Sequence, residues 1–358
     1  MSARAIALAG LFWTALSFSG ILRAETIHID PSDFAVYAGG SLGADQSVRI
    51  DGNIGSQGDT WLARDVMIGG AAYTGETFGA DRNVTVTGRI VAGRDVSIDR
   101  ESVVGAIDSA RDVWLGTSAV SQSISATRNV SLSSGVGVGG SVSYGNSYWA
   151  SSSANVSGPV SQGASPVNWS TIARTTPAFT HAAGSQWYAQ SSDFALDPGT
   201  YGSLSVDKES TLRLTAGVYN FNNLWIDRET HIIADTTGGA VMINLAGSLS
   251  TGREVVFETI GDGTMTFQTG GDIYLGREAQ IEANLVAFGH VNVDAFSRIN
   301  GGMYAAGNVW LDQGVNVSGG FGGSGGNAGA PTDVPEPASL TTALVGLALI
   351  ARRPRRKA

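Results

Sequence analysis

The sequence predicts an all-β fold, a parallel β-helix (β-solenoid) whose coils contain about 18 residues each. Three observations predict it: a motif that returns at a nearly fixed spacing, short segments in which apolar and polar residues alternate, and long proline-free blocks rich in turn-forming glycine. Glycine accounts for 49 of the 358 residues, and only 15% of the residues are charged. The composition therefore favours stacked strands joined by many turns.

The repeat has two sequence signatures. In the second half of the chain Glu254, Asp272, His290 and Asn308 follow one another at a constant spacing, and each precedes an apolar run. The first half repeats an Arg-Asp/Asn pair before valine, and a basic residue before glutamate is expected to mark a second turn. The Arg-Asp/Asn pairs are Arg64-Asp65, Arg82-Asn83, Arg94-Asp95, Arg111-Asp112 and Arg128-Asn129, and the second signature is found at Arg100-Glu101, Lys208-Glu209, Arg228-Glu229 and Arg277-Glu278. Stacked in one column, the Arg-Asp/Asn pairs are expected to hydrogen-bond between coils, with an ion-binding face as the alternative.

The strands have two faces because successive side chains point to opposite sides. In Val113-Trp114-Leu115 the outer two residues are expected to face a continuous core and the middle residue to face outward. The same pattern predicts core positions at Leu224/Ile226, Ile273/Leu275 and Val309/Leu311. About a dozen coils would form a rod on the order of 60 Å long. An all-β sandwich is the rival fold, but it would lack the self-aligning motif.

Proline places the domain boundaries because it removes a hydrogen bond from a central strand. Proline is missing from residues 32–158 and from residues 199–330. We therefore predict a first solenoid block over residues 25–158 and a second over 196–318. Between them, residues 159–195 are expected to form a Ser/Pro-containing insertion or linker with a short helix near Trp187. Residues 319–333 are expected to be a glycine-rich linker.

The N-terminal residues 1–24 have the pattern of a secretory signal peptide. Arg4 precedes an apolar run that ends at Leu22, and Ala24 supplies a small residue for cleavage before Glu25. A membrane anchor helix is the alternative. The chain has no cysteine, so an exported form would depend on packing and repetition rather than on disulfides.

The C-terminal residues 334–358 have three parts. They are a Val334-Pro335-Glu336-Pro337 motif, a short apolar helix expected over residues 341–351, and a basic end with Arg352, Arg353, Arg355 and Arg356. This segment resembles the PEP-CTERM sorting signal of Gram-negative bacteria. The resemblance implies general secretion, transient insertion of a C-terminal transmembrane helix into the inner membrane, and cleavage by an exosortase. A permanent single-pass anchor is the alternative.

Two weaker resemblances concern the middle of the chain. Residues 196–221, which read LDPGTYGSL and then LRLTAGVYNF, are similar to a segment of bacterial surface proteins with β-helical domains. The predicted coils also resemble those of polymer-forming bactofilins. Both resemblances imply a fold and a surface location, and neither carries catalytic residues.

The sequence offers few residues for chemistry. The four histidines, His28, His181, His231 and His290, have no metal-ligand spacing, and no nucleophile elbow or phosphate loop is found. Without the two terminal segments 15 basic and 30 acidic residues remain, which argues against a nucleic-acid partner. We expect no cofactor, no metal site and no catalytic residues. Calcium at Asp51-Gly52-Asn53 or Gly261-Asp262-Gly263 is an alternative to simple turn chemistry.

Four aromatic residues occupy predicted outward positions, namely Trp114, Trp225, Tyr274 and Trp310. Either the insertion covers them or they form a flat surface that stacks on sugar rings or on another protein. Their sequence positions are unevenly spaced, so the stripe is expected to be interrupted.

These observations predict a non-enzymatic protein of the outer cell surface or extracellular matrix of a Gram-negative bacterium. Exopolysaccharide or biofilm is the expected context, because PEP-CTERM signals tend to accompany exopolysaccharide production. A β-helix lyase or hydrolase acting on polysaccharide is the alternative, and it needs a cleft with Arg or Lys beside several carboxylates. An ice- or crystal-binding solenoid would need columns of Thr-x-Thr, of which only Thr85-Val86-Thr87 and Thr264-Met265-Thr266 occur.

Overall fold

The computed structural model describes residues 25–29, 33–164, 167–171, 187–189 and 192–321. Within these residues the chain forms strands β1 to β44, numbered in chain order, and three sheets contain 14 parallel strands each. Strands β1 (Glu25–Ile29) and β24 (Val167–Thr171) form a separate parallel pair. The predicted all-β parallel solenoid is confirmed. The predicted signal peptide and sorting signal lie outside the described residues.

Each coil contributes one strand to each sheet. Sheet 1 contains β2 (Phe34–Ala38), β5 (Asn53–Ser56), β8 (Ala72–Thr74), β11 (Ile90–Ala92), β14 (Ile107–Ser109), β17 (Ile124–Ala126), β20 (Val142–Tyr144), β23 (Val160–Gln162), β27 (Gly199–Thr200), β30 (Gly217–Phe221), β33 (Val241–Leu245), β36 (Met265–Thr269), β39 (Asn284–Ala287) and β42 (Met303–Ala305). Sheet 2 contains β3 (Leu42–Ala44), β6 (Thr60–Leu62), β9 (Phe78–Ala80), β12 (Val96–Ile98), β15 (Val113–Leu115), β18 (Asn129–Leu132), β21 (Ser147–Ala150), β25 (Trp187–Ala189), β28 (Leu204–Val206), β31 (Leu224–Ile226), β34 (Leu249–Thr251), β37 (Ile273–Leu275), β40 (Val291–Val293) and β43 (Val309–Leu311). Sheet 3 contains β4 (Arg49–Asp51), β7 (Met67–Ile68), β10 (Thr85–Val86), β13 (Val103–Val104), β16 (Val120–Ser121), β19 (Gly137–Val138), β22 (Asn155–Val156), β26 (Asp193–Leu196), β29 (Thr211–Thr215), β32 (His231–Asp235), β35 (Val256–Ile260), β38 (Gln280–Ile281), β41 (Arg298–Asn300) and β44 (Asn316–Ser318).

One apolar core runs through the stacked coils. The predicted inward residues are all buried, since the exposed fraction of Val113, Leu115, Leu224, Ile226, Ile273, Leu275, Val309 and Leu311 does not exceed 3%. Each coil is too small to bury its own apolar residues, so the core forms only by stacking neighbouring coils. The strand faces predicted from the alternation are therefore confirmed.

The coil length is nearly constant in the first block and varies in the second. Ser56 and its register partner Thr74 are 18 residues apart, whereas Asn223 and Ser248, hydrogen-bonded between adjacent coils, are 25 residues apart. The predicted series from Glu254 to Asn308 is therefore wrong at its first step. Glu254 lies in the turn before sheet 3, while Asp272, His290 and Asn308 lie before strands of sheet 2.

The order of the coils in space differs from their order in the chain. Strands β2, β3 and β4 of the first coil pair with β42, β43 and β44 of the last coil. The first block therefore grows from the middle of the solenoid to one end, and the second block begins at the other end and returns. We call the contact between first and last coils the seam; Ser41 and Asn308, 267 residues apart, are hydrogen-bonded there.

A left-handed residue recurs in the turn between sheets 2 and 3. The predicted turn signature is confirmed, because Glu101, Glu209, Glu229 and Glu278 all have φ between 58° and 62°. Bulky residues rarely adopt this conformation, so Phe296, at φ 62°, is the outlier of the column.

The outer face of sheet 1 is covered near the seam. Tyr37, Tyr73 and Tyr304 are at most 4% exposed although they point away from the main core, and they form a second apolar cluster with Phe34. The crossover strand β24 contacts β11 of this sheet. Near the seam the outer face of sheet 1 is thus covered, unlike that of sheet 2.

The segment predicted as an insertion is shorter than residues 159–195. Strand β23 extends the first block to Gln162, and β25 and β26 begin the second block at Trp187. The helix expected near Trp187 is therefore wrong, because β25 pairs with β28 as a strand of sheet 2. The part of the chain that the structure describes contains no helix long and apolar enough to cross a membrane.

Candidate functional site

The outer face of sheet 2 carries a row of exposed aromatic side chains along the solenoid. We call Trp149, Trp114, Trp61, Trp310, Tyr274 and Trp225 the aromatic row. From the β21 end of the sheet the outward residues are, in spatial order, Trp149, Ser131, Trp114, Ser97, Gly79, Trp61, Gly43, Trp310, Asn292, Tyr274, Ser250, Trp225 and Ser205. The positions between the aromatics hold only glycine, serine or asparagine.

All four sequence-predicted aromatics belong to this row, and the structure adds two. The exposed fractions range from 41% at Trp114 to 59% at Trp149. Trp61 and Trp149 were missed because Thr60 and Tyr148 precede them, where the other four strands have valine, leucine or isoleucine. The alternation in Thr60-Trp61-Leu62, with the two flanking residues buried, is the signal that could have found Trp61.

Two indole rings extend over glycines of the next coil. A Cβ atom at Gly43 would lie 2.2 Å from two ring atoms of Trp310, and one at Gly79 would lie 2.2 Å from a ring atom of Trp61. No side chain larger than hydrogen fits beneath either ring. These glycines leave the space that the edge of each indole occupies.

Tyr274 leans in the same direction along the solenoid as Trp61 and Trp310. Its hydroxyl donates a hydrogen bond to Asp294 Oδ2 in the next coil, at 2.6 Å. This hydrogen bond, together with partial burial and the charge of Asp294, raises the pKa of Tyr274 to about 12. The phenol therefore remains neutral at any physiological pH.

A ladder of polar side chains borders the row on one side, in the turns before the strands of sheet 2. Many of these side chains accept a hydrogen bond from a backbone N–H of the next coil. The backbone N–H of Ser41 donates to Asn308 Oδ1 at 2.8 Å, that of Asn308 to His290 Nδ1 at 2.9 Å, and that of His290 to Asp272 Oδ1 at 2.7 Å. The N–H of Asp272 donates to Ser248 Oγ, and that of Ser248 to Asn223 Oδ1, both at 3.0 Å. Because each of these side chains is held by the backbone, the polar edge is pre-organised.

Aspartates border the row on the other side, directly after the strands of sheet 2. They are Asp45, Asp81, Asp99, Asp207, Asp227, Asp294 and Asp312. Four of them, Asp45, Asp81, Asp227 and Asp312, accept a hydrogen bond from the next backbone N–H at 2.7 to 2.8 Å. The row therefore lies between two polar edges.

A shallow cavity of about 500 Å³ lies on this face at the seam. Trp61 and Trp310 line it together with Asn292, His290 and Asn308. Aromatic faces beside amide and imidazole groups suit a polar ring with apolar faces, such as a sugar.

A second depression, of about 840 Å³, lies on the outer face of sheet 3 at the seam. Arg298 lines it with Asp51, Glu258 and Glu282, and all four residues are exposed. Thr259 donates two hydrogen bonds to Glu282 at 3.2 Å, and Arg49 forms an ion pair with Asp51 at 2.8 Å.

The Arg-Asp/Asn pairs form two columns rather than the predicted one. Asp65 and Asn83 lie before strands of sheet 3. Asp95 and Asp112 lie before strands of sheet 2, and Asn129 is the first residue of β18 in that sheet. The expected bonds between coils are present in both columns: Asn83 donates to Asp65 at 2.7 Å and Asn129 to Asp112 at 2.8 Å.

The other candidate residues do not come together. His231 and His290 lie on different sheets, and no group of three or more His, Cys, Asp or Glu that could hold a metal occurs in the described ranges. The two Thr-x-Thr segments also lie apart, since Thr85 belongs to sheet 3 and Thr266 to sheet 1.

No protein-family model matches the chain, and no curated protein matches it either. Among solved structures, the crystal structure of an ice binding protein from an Antarctic bacterium Flavobacteriaceae is similar over 80% of this chain and 97% of that chain, at 12% sequence identity and a TM-score of 0.27. A similarity at that level carries no argument about function. The geometry of this chain's own residues must therefore carry the interpretation.

Proposed function

We propose that the protein is an exported, non-enzymatic component of the cell surface or extracellular matrix that binds an extended polysaccharide along sheet 2. The aromatic row is the observation that carries this proposal. Its six rings are large, apolar and exposed, yet each is separated from the next by glycine, serine or asparagine positions. A protein-binding patch would gain more from contiguous apolar side chains than from separated rings.

The energetics favour many weak contacts with a polymer. An exposed ring contributes about 1 kcal/mol by stacking, so a single short sugar would bind weakly. Polar groups on both edges can hydrogen-bond the hydroxyls at the rim of each sugar. Many copies on one surface would convert weak contacts into firm retention on a matrix.

The binding proposal is tested with Trp225→Ala combined with Trp310→Ala. We expect this double variant to fold and be secreted normally but to migrate faster than the parent protein in affinity gels that contain the host's own polysaccharide. The matched control is Val103→Ala with Val120→Ala, which removes two exposed apolar side chains from sheet 3. Equal retention of the parent, the double variant and the control would contradict the proposal.

Export and processing rest on the terminal sequences alone. Residues 1–24 and the Val334–Pro337 motif support secretion followed by exosortase cleavage. Replacement of Pro335, Glu336 and Pro337 by alanine should leave the protein in the membrane fraction with its arginine tail intact. Mass spectrometry of both termini reads the outcome, and equal release of the two forms would contradict processing at this motif.

A polysaccharide lyase or hydrolase is the second candidate, and the depression on sheet 3 favours it. Arg298 beside Asp51, Glu258 and Glu282 is the combination that such a cleft requires. An enzyme would release new chain ends from the host polysaccharide, and Arg298→Ala would abolish the release. Absence of new ends with the secreted protein would remove this candidate.

A further inference from the structure

The spacing of the aromatic row identifies the shape of the polymer, and this inference rests on the proposed function. Trp225, Tyr274, Trp310 and Trp61 occur on every second coil, with Ser250, Asn292 and Gly43 between them. Two strand spacings are about 9.6 Å, so these four in-phase rings span about 29 Å. Two coils, rather than one, lie between Trp61 and Trp114. Trp114 and Trp149 are therefore shifted by one coil relative to the two-coil spacing of the other four rings.

We propose that the four in-phase rings bind one straight β-1,4-linked glycan laid parallel to the axis of the solenoid and across the seam. In such a glycan each sugar is turned over relative to the last, so every second sugar presents the same face. One sugar of a fully extended chain also advances by about the spacing of one coil. Every second sugar would therefore meet a ring.

The residues between the rings fit this arrangement. Gly43 is occupied by the edge of the Trp310 indole, while Ser250 and Asn292 are small enough to leave room above them for the intervening sugars. The polar ladder and the aspartates run along both sides of the same strands, where the hydroxyls of a flat ribbon point. The common lean of Trp61, Trp310 and Tyr274 gives the row a direction, as a glycan chain also has.

A helical glycan does not fit the same row. An α-1,4-linked or β-1,3-linked chain curves, so it would leave the straight row after one or two rings. The out-of-phase pair Trp114 and Trp149 is offset by one coil and cannot meet equivalent sugars of the same two-residue repeat.

The test uses affinity gels with four probes: hydroxyethyl cellulose and glycol chitin as β-1,4-linked chains, soluble starch as an α-1,4-linked chain, and laminarin as a β-1,3-linked chain. We expect retardation by a β-1,4-linked probe and not by starch or laminarin. Trp310→Ala and Tyr274→Ala should each weaken that binding about five-fold, whereas the control Val103→Ala, which removes an exposed apolar side chain from sheet 3, should change it less than two-fold. For β-1,4-linked oligosaccharides of increasing length, affinity should rise up to about seven sugars and then level off, because rings meet sugars one, three, five and seven.

The outcomes separate this inference from the function on which it rests. Equal binding to straight and helical probes, or an affinity that does not rise with the length of the β-1,4-linked oligosaccharide, would overturn the straight-chain inference. The straight-chain inference would also be overturned if the parent protein bound neither β-1,4-linked probe. The proposed function would still stand in that case if the Trp225→Ala, Trp310→Ala double variant lost retention on the host polysaccharide. If no variant changes retention on any polysaccharide, both proposals fail. Circular dichroism and thermal unfolding of each variant show that the protein remains folded.

Discussion

Sheets 1 and 2 carry aromatic residues on their outer faces close to the seam and use them in opposite ways. On sheet 1 the rings of Tyr37 and Tyr304 stack at 5.4 Å, and Phe34 packs edge-on against Tyr73 at 5.9 Å. These rings are 0 to 4% exposed. On sheet 2 Trp310 is half exposed and is separated from the next aromatic by a coil that carries glycine or asparagine.

The difference distinguishes a structural aromatic cluster from the proposed binding surface. Rings that touch one another and are shielded from water contribute to the stability of the fold. Rings that are held apart on a flat face contribute little to stability but offer their faces to a ligand. The same residue type in neighbouring sheets therefore has a role that only the coverage of each face reveals.

The largest expected effect is on stability and belongs to sheet 1. Tyr304→Ala removes a buried ring from the cluster and should lower the free energy of unfolding by about 3 kcal/mol. Trp310→Ala, in the same coil, should change it by less than about 1 kcal/mol because half of the side chain is already in water. Urea unfolding followed by circular dichroism measures both, and equal losses would remove the distinction between the two faces.

The second prediction keeps the rings and displaces them. Gly43→Ala and Gly79→Ala place a methyl group where the indoles of Trp310 and Trp61 lie, so each ring must swing off the sheet. We expect polysaccharide binding to weaken about five-fold for each, which corresponds to about 1 kcal/mol, with the fold retained. Gly137→Ala is the control, because its Cβ would meet only Val120 at 3.9 Å. Unchanged binding in both test variants would show that the position of the rings over these glycines is unimportant.

The sequence predicted the local architecture of both faces well. Period-two alternation identified the core positions of strands such as Val113–Leu115, because inward and outward residues differ in polarity at every coil. The turn signature likewise identified the left-handed glutamates such as Glu229. These features depend only on neighbouring residues of one coil.

The arrangement of the coils could not be predicted from the sequence. Parallel coils pair through backbone groups that all coils share, so no side chain in the sequence indicates that Leu42 pairs with Val309. The regular spacing of Trp61 and Trp310 exists only across that seam. The spacing from Glu254 to Asp272 equals that of the later repeats, but these two residues lie in different turns. The coil between Leu249 and its partner Ile273 is longer than the later coils, so the equal spacing is a coincidence. The contact of β24 with β11 of sheet 1 also joins distant parts of the chain, and the repeat does not encode it.

The third prediction concerns an exposed ring that belongs to neither face. Phe296 is 47% exposed at the turn between sheets 2 and 3, and its φ of 62° is unfavourable for a bulky residue. Phe296→Gly should relieve this strain but remove the contact of the ring with the Arg277 guanidinium, which lies 5.6 Å from the ring centroid. The net result should be a rise of about 0.5 kcal/mol in the free energy of unfolding. Polysaccharide binding should not change. A binding loss would mean that exposure alone, rather than position in the row, makes a ring functional.

The smallest expected effect concerns the pH at which Tyr274 loses its phenolic proton. The hydrogen bond to Asp294 raises the pKa of Tyr274 to about 12 from the ordinary value of 10.0. The stability that this hydrogen bond contributes is therefore fully present below pH 10 and is lost as the pH rises towards 12. The ultraviolet titration curve of the Tyr274→Phe variant, subtracted from that of the parent protein, should leave a phenolate step near pH 12. A step near 10 would show that the phenol is not held by Asp294.

Oxidative footprinting by mass spectrometry tests the central claim most directly, namely that sheet 2 presents a free aromatic surface that a polysaccharide covers. In the free protein, brief exposure to hydroxyl radicals should oxidise Trp61, Trp225, Tyr274 and Trp310 readily, whereas Tyr37, Tyr73 and Tyr304 should react slowly because they are buried. Adding the host polysaccharide should protect the first set and leave Phe296, an exposed ring outside the row, as reactive as before. Equal oxidation of both sets in the free protein, or no protection of the row by the polysaccharide, would contradict the account.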